Sequence, residues 1–76
     1  MSEKIEILKY FMVNNKTEFS AKELSRIFNI TTKTIYVYLR ELRDNNFIIA
    51  TNKCIPQKYK FNELFYVLLQ NLPKNL

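Results

Sequence analysis

The sequence predicts a small α+β fold in which helices come first and a short antiparallel sheet follows. Between residues 3 and 45, apolar side chains recur three or four positions apart, the spacing that places them on one face of a helix. Residues 47–61 instead contain two short runs of β-branched and aromatic residues, separated by polar residues and a proline, which is typical of a hairpin. With 76 residues, 47% of them hydrophobic, the chain has room for one domain with a modest core.

A first helix is expected at about residues 2–14. Ser2 can cap its start, and the pair Asn14 and Asn15 indicates where it stops. Its apolar positions form a stripe that is wider than a surface helix requires. We expect the core stripe to contain Ile5, Leu8, Phe11 and Met12, widened by Ile7, Tyr10 and Val13.

Residues 20–42 predict two short helices joined by a tight turn. Ser20 and Glu23 have the S-x-x-E spacing of a capping box, which would start a helix at about residues 21–28. Asn29 is expected in the turn, because in a chain without glycine it tolerates a left-handed backbone best. The buried face of this helix should contain Leu24, Ile27 and Phe28.

The second helix of the pair is expected at about residues 32–45, with Thr31 or Thr32 as its cap. Asn46, where glycine is more usual, would end it in a left-handed conformation. Its inward positions are Ile35, Leu39 and Leu42, and Tyr38 is expected to pack near them. The outer face mixes hydroxyls, an aromatic ring and cations, which suits a reader of the major groove. That face contains Thr32, Lys33, Tyr36, Val37 and Arg40.

A hairpin is expected at about residues 47–61. Residues 47–51 are apolar and β-branched, whereas residues 58–61 alternate polar with aromatic side chains, as half-buried strands do. Residues 52–56 between them are turn-like and include Pro56, which strand interiors avoid.

A last helix is expected at about residues 63–71. Asn62 can cap it, Phe61 can pack against Tyr66 as a hydrophobic staple, and Pro73 ends it. Its strongly apolar composition suits two roles, covering the first helix or forming a dimer interface, and the sequence leaves both open.

Positive charge is concentrated in the second half of the chain. The net charge is +5 and the pI is near 9.5, which favours an acidic partner. Residues 1–30 contain five cations against four carboxylates. Residues 31–60 have only Glu41 and Asp44 against six cations, which are Lys33, Arg40, Arg43, Lys53, Lys58 and Lys60.

The residue inventory argues against catalysis. The chain has no histidine, so it lacks the commonest general base, and a Cys/His metal cluster is impossible. It has no glycine for a phosphate-cradling loop, and the lone Cys54 cannot form an internal disulfide. We therefore expect no enzymatic activity, no cofactor and no metal. No run is long and apolar enough for a membrane span, and the charged amino terminus does not resemble a signal peptide, so a cytoplasmic protein is expected.

The helix pair, quoted as LxxxFNITTKTIYVYLxxL from Leu24 to Leu42, resembles the winged helix-turn-helix family of transcription regulators. The composition, rich in Ile, Lys, Tyr and Phe, resembles that of small single-domain regulators of crenarchaeal viruses and plasmids, although its nine asparagines are not what thermal selection favours. The resemblance implies a brief strand around residues 17–19, with Phe19 buried, that pairs with the hairpin. It also makes the second helix of the pair the recognition helix and the hairpin the wing.

The resemblance further implies that the partner is double-stranded DNA. Side chains at the start and on the outer face of the recognition helix would enter the major groove: Thr31, Thr32, Lys33, Tyr36, Val37 and Arg40. The wing would contact phosphates or the minor groove through Asn52, Lys53, Gln57 and Lys58. Ser20 and Lys22, at the start of the first helix of the pair, would contact phosphate.

Two functions are compatible with these patterns. The leading hypothesis is a sequence-specific DNA-binding regulator, favoured by the basic second helix and basic hairpin. The alternative is a winged helix used for protein contacts, favoured by the apolar last helix and the small size. A monomer in solution is the favoured state, with two copies on a palindromic site as the alternative.

Overall fold

The computed structural model describes residues 2–52, 54–64 and 67. Three helices and three strands follow one another as α1 (Glu3–Val13), β1 (Phe19–Ser20), α2 (Ala21–Phe28), α3 (Thr32–Asp44), β2 (Ile48–Ala50) and β3 (Lys58–Phe61). The strands form one antiparallel sheet in the order β1-β3-β2. The predicted α+β winged helix-turn-helix fold is confirmed, with the hairpin β2–β3 as the wing.

One core joins the three helices to the sheet. Each element contributes its inward-facing side chains, and the aromatic rings of α1 and β1 interlock, with the centroids of Phe11 and Phe19 5.7 Å apart. The three inward positions predicted for α3 are all buried. The core consists of Ile7, Phe11, Phe19, Ala21, Leu24, Ile35, Leu39, Leu42, Ile48, Tyr59 and Phe61.

The predicted core stripe of α1 was partly wrong. The buried seam is Ile7 and Phe11, one turn apart, with Leu8 packed beside it. Ile5 and Met12 are close to half exposed because, at about 3.6 residues per turn, they project from the opposite side of the helix. Val13 is 82% exposed and Ser2, at the N-cap position, makes no side-chain capping hydrogen bond. Ile27 of α2, also predicted to be buried, is 47% exposed.

The joint between α2 and α3 has the predicted chemistry. The Ser20–Glu23 capping box is present, Asn29 adopts a left-handed conformation with φ 55°, and Thr31 rather than Thr32 caps α3. The Ser25 hydroxyl also donates a hydrogen bond to the carbonyl oxygen of Ile30. The turn is thus fixed by the polar contacts of Ser25 and Thr31 and by one left-handed residue.

The sheet attaches the wing to the helix pair. Phe19 pairs with Tyr59 and Ser20 with Lys58, so the strand that precedes α2 is paired with the returning strand of the wing. The brief first strand is confirmed at Phe19, but it continues into Ser20, and residues 17 and 18 precede it. At the end of α3, Asn46 is left-handed with φ 64°, as predicted.

The predicted C-terminal helix is described only at its start. Glu63, Leu64 and Val67 are helical, and the rest of residues 63–71, including the proposed contact of Phe61 with Tyr66, lies outside the described residues. The Asn62 side chain donates a hydrogen bond of 2.8 Å to the Asn46 carbonyl, which joins this start to the end of α3. Among the residues that the structure describes, no helix is long and apolar enough to cross a membrane.

Candidate nucleic-acid interface

The outer face of α3 presents the side chains that the sequence predicted for it. Lys33, Val37 and Arg40 lie one turn apart along the helix, and Tyr36 lies beside them. All four are exposed, Tyr36 by 50% and Val37 by 42%. They form a surface with two cations, an aromatic ring with a hydroxyl, and an aliphatic side chain, which can offer hydrogen bonds, charge and apolar contact to one ligand.

The threonines at the start of α3 differ in role. Thr31 is exposed, but its hydroxyl accepts a hydrogen bond of 3.4 Å from the backbone N–H of Thr34 and donates one of 3.1 Å to the Thr34 hydroxyl. Thr32, the first residue of the helix, is exposed. Thr31 therefore fixes where α3 begins, and Thr32 is the more available of the two.

The cations without a carboxylate partner lie on the helix pair and on β3. In the part of the chain that the structure describes, five cations have no carboxylate within 4.0 Å: Lys22, Arg26, Lys33, Arg40 and Lys58. The other described cations each have a carboxylate within that distance: Lys4 and Lys9 on α1, Lys16 in the loop after it, Arg43 near the end of α3 and Lys60 on β3. We call Lys22, Arg26, Lys33, Arg40 and Lys58 the unpaired cations. Their charges make the electrostatic potential positive around the helix pair.

At the start of α2, Ser20 and Glu23 form a capping box and hydrogen-bond to each other. The Ser20 hydroxyl accepts a hydrogen bond from the backbone N–H of Glu23, and the Ser20 N–H donates to the Glu23 carboxylate at 3.0 Å. Hydrogen bonding to the Glu23 carboxylate, first from the Ser20 backbone and then from the Ser20 side chain, lowers the pKa of Glu23, and the nearby charges of Lys58 and Arg26 lower it further. Ser20 is buried, so it positions the start of α2, while Lys22 beside it is exposed.

Two of the residues predicted for wing contacts hold the wing loop together. The Asn52 side chain accepts a 2.8 Å hydrogen bond from the Lys58 N–H and donates one to the Pro56 carbonyl at 3.4 Å. The Gln57 amide donates to the Asn52 carbonyl at 3.3 Å and accepts from the Tyr59 hydroxyl at 3.0 Å. The side chains of Asn52 and Gln57 therefore stabilise the wing loop through these hydrogen bonds. Lys53 lies outside the described residues.

The base of the wing packs against α3 through β2. Burial raises the pKa of Tyr59, the charge of Arg43 on α3 opposes that rise, and Tyr36 adds to it. Arg43 was counted in the sequence only toward charge. Its spacing of seven residues from Tyr36 and three from Arg40 is the signal that places it on the outer face of α3.

Tyr38 faces the other way, as predicted. It packs against the core, and its hydroxyl donates a 2.8 Å hydrogen bond to Glu3 of α1, the contact that raises the Tyr38 pKa. Lys4 of α1 also forms a 2.7 Å ion pair with Glu41. Two polar contacts therefore join α1 to α3 on the side away from the exposed stripe. Among the described residues, no three His, Cys, Asp or Glu side chains cluster so as to hold a metal ion.

Two helices with a tight left-handed turn, an exposed cationic stripe on the second helix and a hairpin paired back to the first define a helix-turn-helix domain. Comparison with protein families agrees: the family model described as an HTH domain matches residues 3–53. The chain therefore belongs to this helix-turn-helix family, and that membership indicates DNA binding. No curated protein and no solved structure has significant similarity to the chain.

Proposed function

We propose that the protein is a transcription regulator that binds double-stranded DNA sequence-specifically, with α3 in the major groove and the wing on the backbone or in the minor groove. The observation that supports this most is the location of the unpaired cations on α2, α3 and β3. On a surface that serves only for solubility, we would not expect the cations without a carboxylate partner to lie together on one part of the molecule. The phosphates of DNA can supply the negative charge that these cations lack.

The outer face of α3 supplies the reading groups. The Arg40 guanidinium can donate two hydrogen bonds to the O6 and N7 of guanine, and Val37 can contact a thymine methyl group. Tyr36, half exposed and beside Arg40, can pack on a sugar or donate its hydroxyl to a phosphate. Thr32 and Lys33, at the start of α3, would lie along the wall of the major groove.

The remaining cations supply position rather than sequence information. Lys22 and Arg26 on α2 flank the groove from one side, and Lys58 at the start of β3 lies near Glu23 at the beginning of α2. Contacts from such residues fix the register of the protein on the duplex. In this proposal Asn52 and Gln57 shape the wing, and Lys53 adds a phosphate contact next to it.

We further propose that the protein is a monomer in solution and that two copies can occupy a palindromic site. An origin in a crenarchaeal virus or plasmid stays a prediction from composition.

Selection of a duplex from a random-sequence library tests the proposed function. Full-length protein should enrich a defined sequence, and the enriched duplex should bind at least about 10³-fold more tightly than a shuffled duplex of the same composition, the lower end for specific regulators. Fluorescence anisotropy at one fixed salt concentration gives both dissociation constants. Equal affinity for enriched and shuffled duplexes would contradict sequence specificity, and no binding to either would contradict DNA binding itself.

The second candidate is a protein-contact module. It is favoured by a shallow groove of about 290 Å³ between α1 and the end of α2, lined by Tyr10 and Phe28 and flanked by the 82% exposed Val13. Absence of DNA binding in the selection experiment, together with a Val13-dependent complex recovered from the source cell, would favour this candidate.

A further inference from the structure

The tip of the wing is apolar and lies in solvent. Ile55 is 97% exposed, the highest value among the exposed large apolar side chains of the described residues, and Cys54 and Pro56 beside it are exposed too. A wing tip that contacted only phosphate would need donors or cations, which Ile55 does not have. Its chemistry suits a partner that offers apolar surface.

The loop that presents this tip is held by hydrogen bonds at its base. Asn52 binds both the Pro56 carbonyl and the Lys58 N–H, which lie on the return side of the loop. Gln57 binds back to Asn52 and accepts a hydrogen bond from Tyr59. Because side chains within the loop define its shape before binding, little ordering is needed when Ile55 meets a partner.

The wing starts beside the proposed DNA-binding face. β2, the strand that leads into the wing loop, contacts α3. A duplex seated with α3 in its major groove therefore extends past the base of the wing. The groove that follows the major groove along the duplex is the minor groove, and the apolar tip lies in the loop that joins β2 to β3.

We propose that Ile55 is a wedge that enters the minor groove, separates two stacked base pairs and bends the duplex. Apolar side chains inserted between base steps kink DNA by about 20–90°, and the unstacked bases supply the apolar surface that phosphates lack. This inference rests on the proposed DNA binding and adds to it a residue that determines the shape of the bound DNA. Sequences with easily unstacked pyrimidine–purine steps under the tip should bind best.

Energy transfer between dyes at the two ends of a duplex of about 30 base pairs tests the wedge. The duplex is the one enriched by the wild-type protein from a random-sequence library. Wild-type protein should shorten the end-to-end distance, and Ile55→Ala should remove most of that change and weaken binding about tenfold, since the buried side chain is truncated. Ile49→Ala is the matched control, because Ile49 is an exposed isoleucine of β2 away from the tip.

Ile55→Lys separates a wedge from a phosphate contact. If the tip is a wedge, this variant should also lose the bend, although it gains a cation. The proposal is overturned if Ile55→Ala bends and binds the duplex like wild type, or if Ile55→Lys binds more tightly with the bend unchanged. Wild-type protein that binds without bending overturns the wedge and leaves the proposed function intact, whereas wild-type protein that binds no duplex overturns both.

Discussion

Arg40 and Lys58 illustrate two kinds of contact that single cations can make with DNA. Arg40 lies on the exposed stripe of α3, whereas Lys58 lies at the start of β3, paired with Ser20 at the beginning of α2. A guanidinium can read a guanine edge, but an ammonium on a phosphate is indifferent to sequence.

Alanine substitution should separate these two roles. Arg40→Ala is expected to cost about 1–3 kcal/mol of binding free energy on the selected duplex and to relax the preference at one base pair. Lys58→Ala should weaken binding to all duplexes alike. Competition binding against a panel of single-base variants measures both effects, with Lys9→Ala, on α1, as the control. Identical profiles for Arg40→Ala and Lys58→Ala would refute the division into readers and positioners.

Asn29 matters through its backbone. Its φ of 55° lies in the left-handed region, where a β-carbon is strained and asparagine is tolerated better than most residues. Asn29→Ala should lower the free energy of unfolding by about 1–2 kcal/mol, whereas Asn29→Gly should be close to neutral. Urea denaturation followed by circular dichroism measures this, with Asn15→Ala as the control because Asn15 is exposed and not left-handed. Equal losses for Asn29→Ala and Asn29→Gly would contradict the backbone explanation.

At the scale of elements, the start of α2 depends on one reciprocal pair of hydrogen bonds. The Ser20–Glu23 capping box satisfies two backbone groups and fixes the angle at which the chain leaves β1. Ser20→Ala should lower the free energy of unfolding by about 1 kcal/mol.

The same cap predicts a dependence on pH. The folded state lowers the pKa of Glu23, mainly through the hydrogen bond from the Ser20 backbone. The contribution to stability is therefore complete above the unfolded-state pKa of about 4.3 and is lost as the pH falls through the lower folded-state pKa. Glu23→Gln should lose less stability between pH 7 and pH 3 than wild type in urea denaturation, and Glu18→Gln, at an exposed site, should behave like wild type. An unchanged pH dependence in Glu23→Gln would contradict this role.

Elements with local signals were predictable, whereas the side of a helix that faces the core was predictable only in part. The capping box, both left-handed asparagines and the alternation of β3 each depend on neighbouring residues, and the structure has them. The stripe of α1 was misplaced toward Ile5 and Met12, because a helix with apolar residues on more than one face does not show which face its partners will cover. That choice is made by the distant residues of α3 and the sheet.

The candidate site was predictable to a similar degree. The exposed face of α3 follows from helical spacing alone. The use of Asn52 and Gln57 to shape the wing loop does not, because it depends on carbonyl groups that meet only after the hairpin has formed. Arg43 was missed, although its helical spacing from Tyr36 and Arg40 would have placed it on the exposed face of α3.

At the scale of the whole molecule, the net charge of +5 matters less than its separation into paired and unpaired cations. Carboxylates lie within 4.0 Å of the lysines on and just after α1. On the helix pair Arg43 has such a partner in Asp44, whereas the other cations of α2, α3 and the start of β3 keep their charge available. If Lys22, Arg26, Lys33, Lys53 and Lys58 each meet a phosphate while Arg40 reads a base, a duplex that covers the helix pair should release counterions from about five phosphates.

The dependence of DNA affinity on salt tests this central claim most directly. A plot of log affinity against log salt concentration should have a slope of about −4 to −5 for wild-type protein. Lys22→Gln/Lys58→Gln, which removes two unpaired cations, should reduce the magnitude of that slope by about 2. Lys9→Gln/Lys16→Gln removes the same charge from two paired lysines and should leave the slope unchanged. A slope near zero for wild type, or equal reductions in the two double variants, would contradict the account.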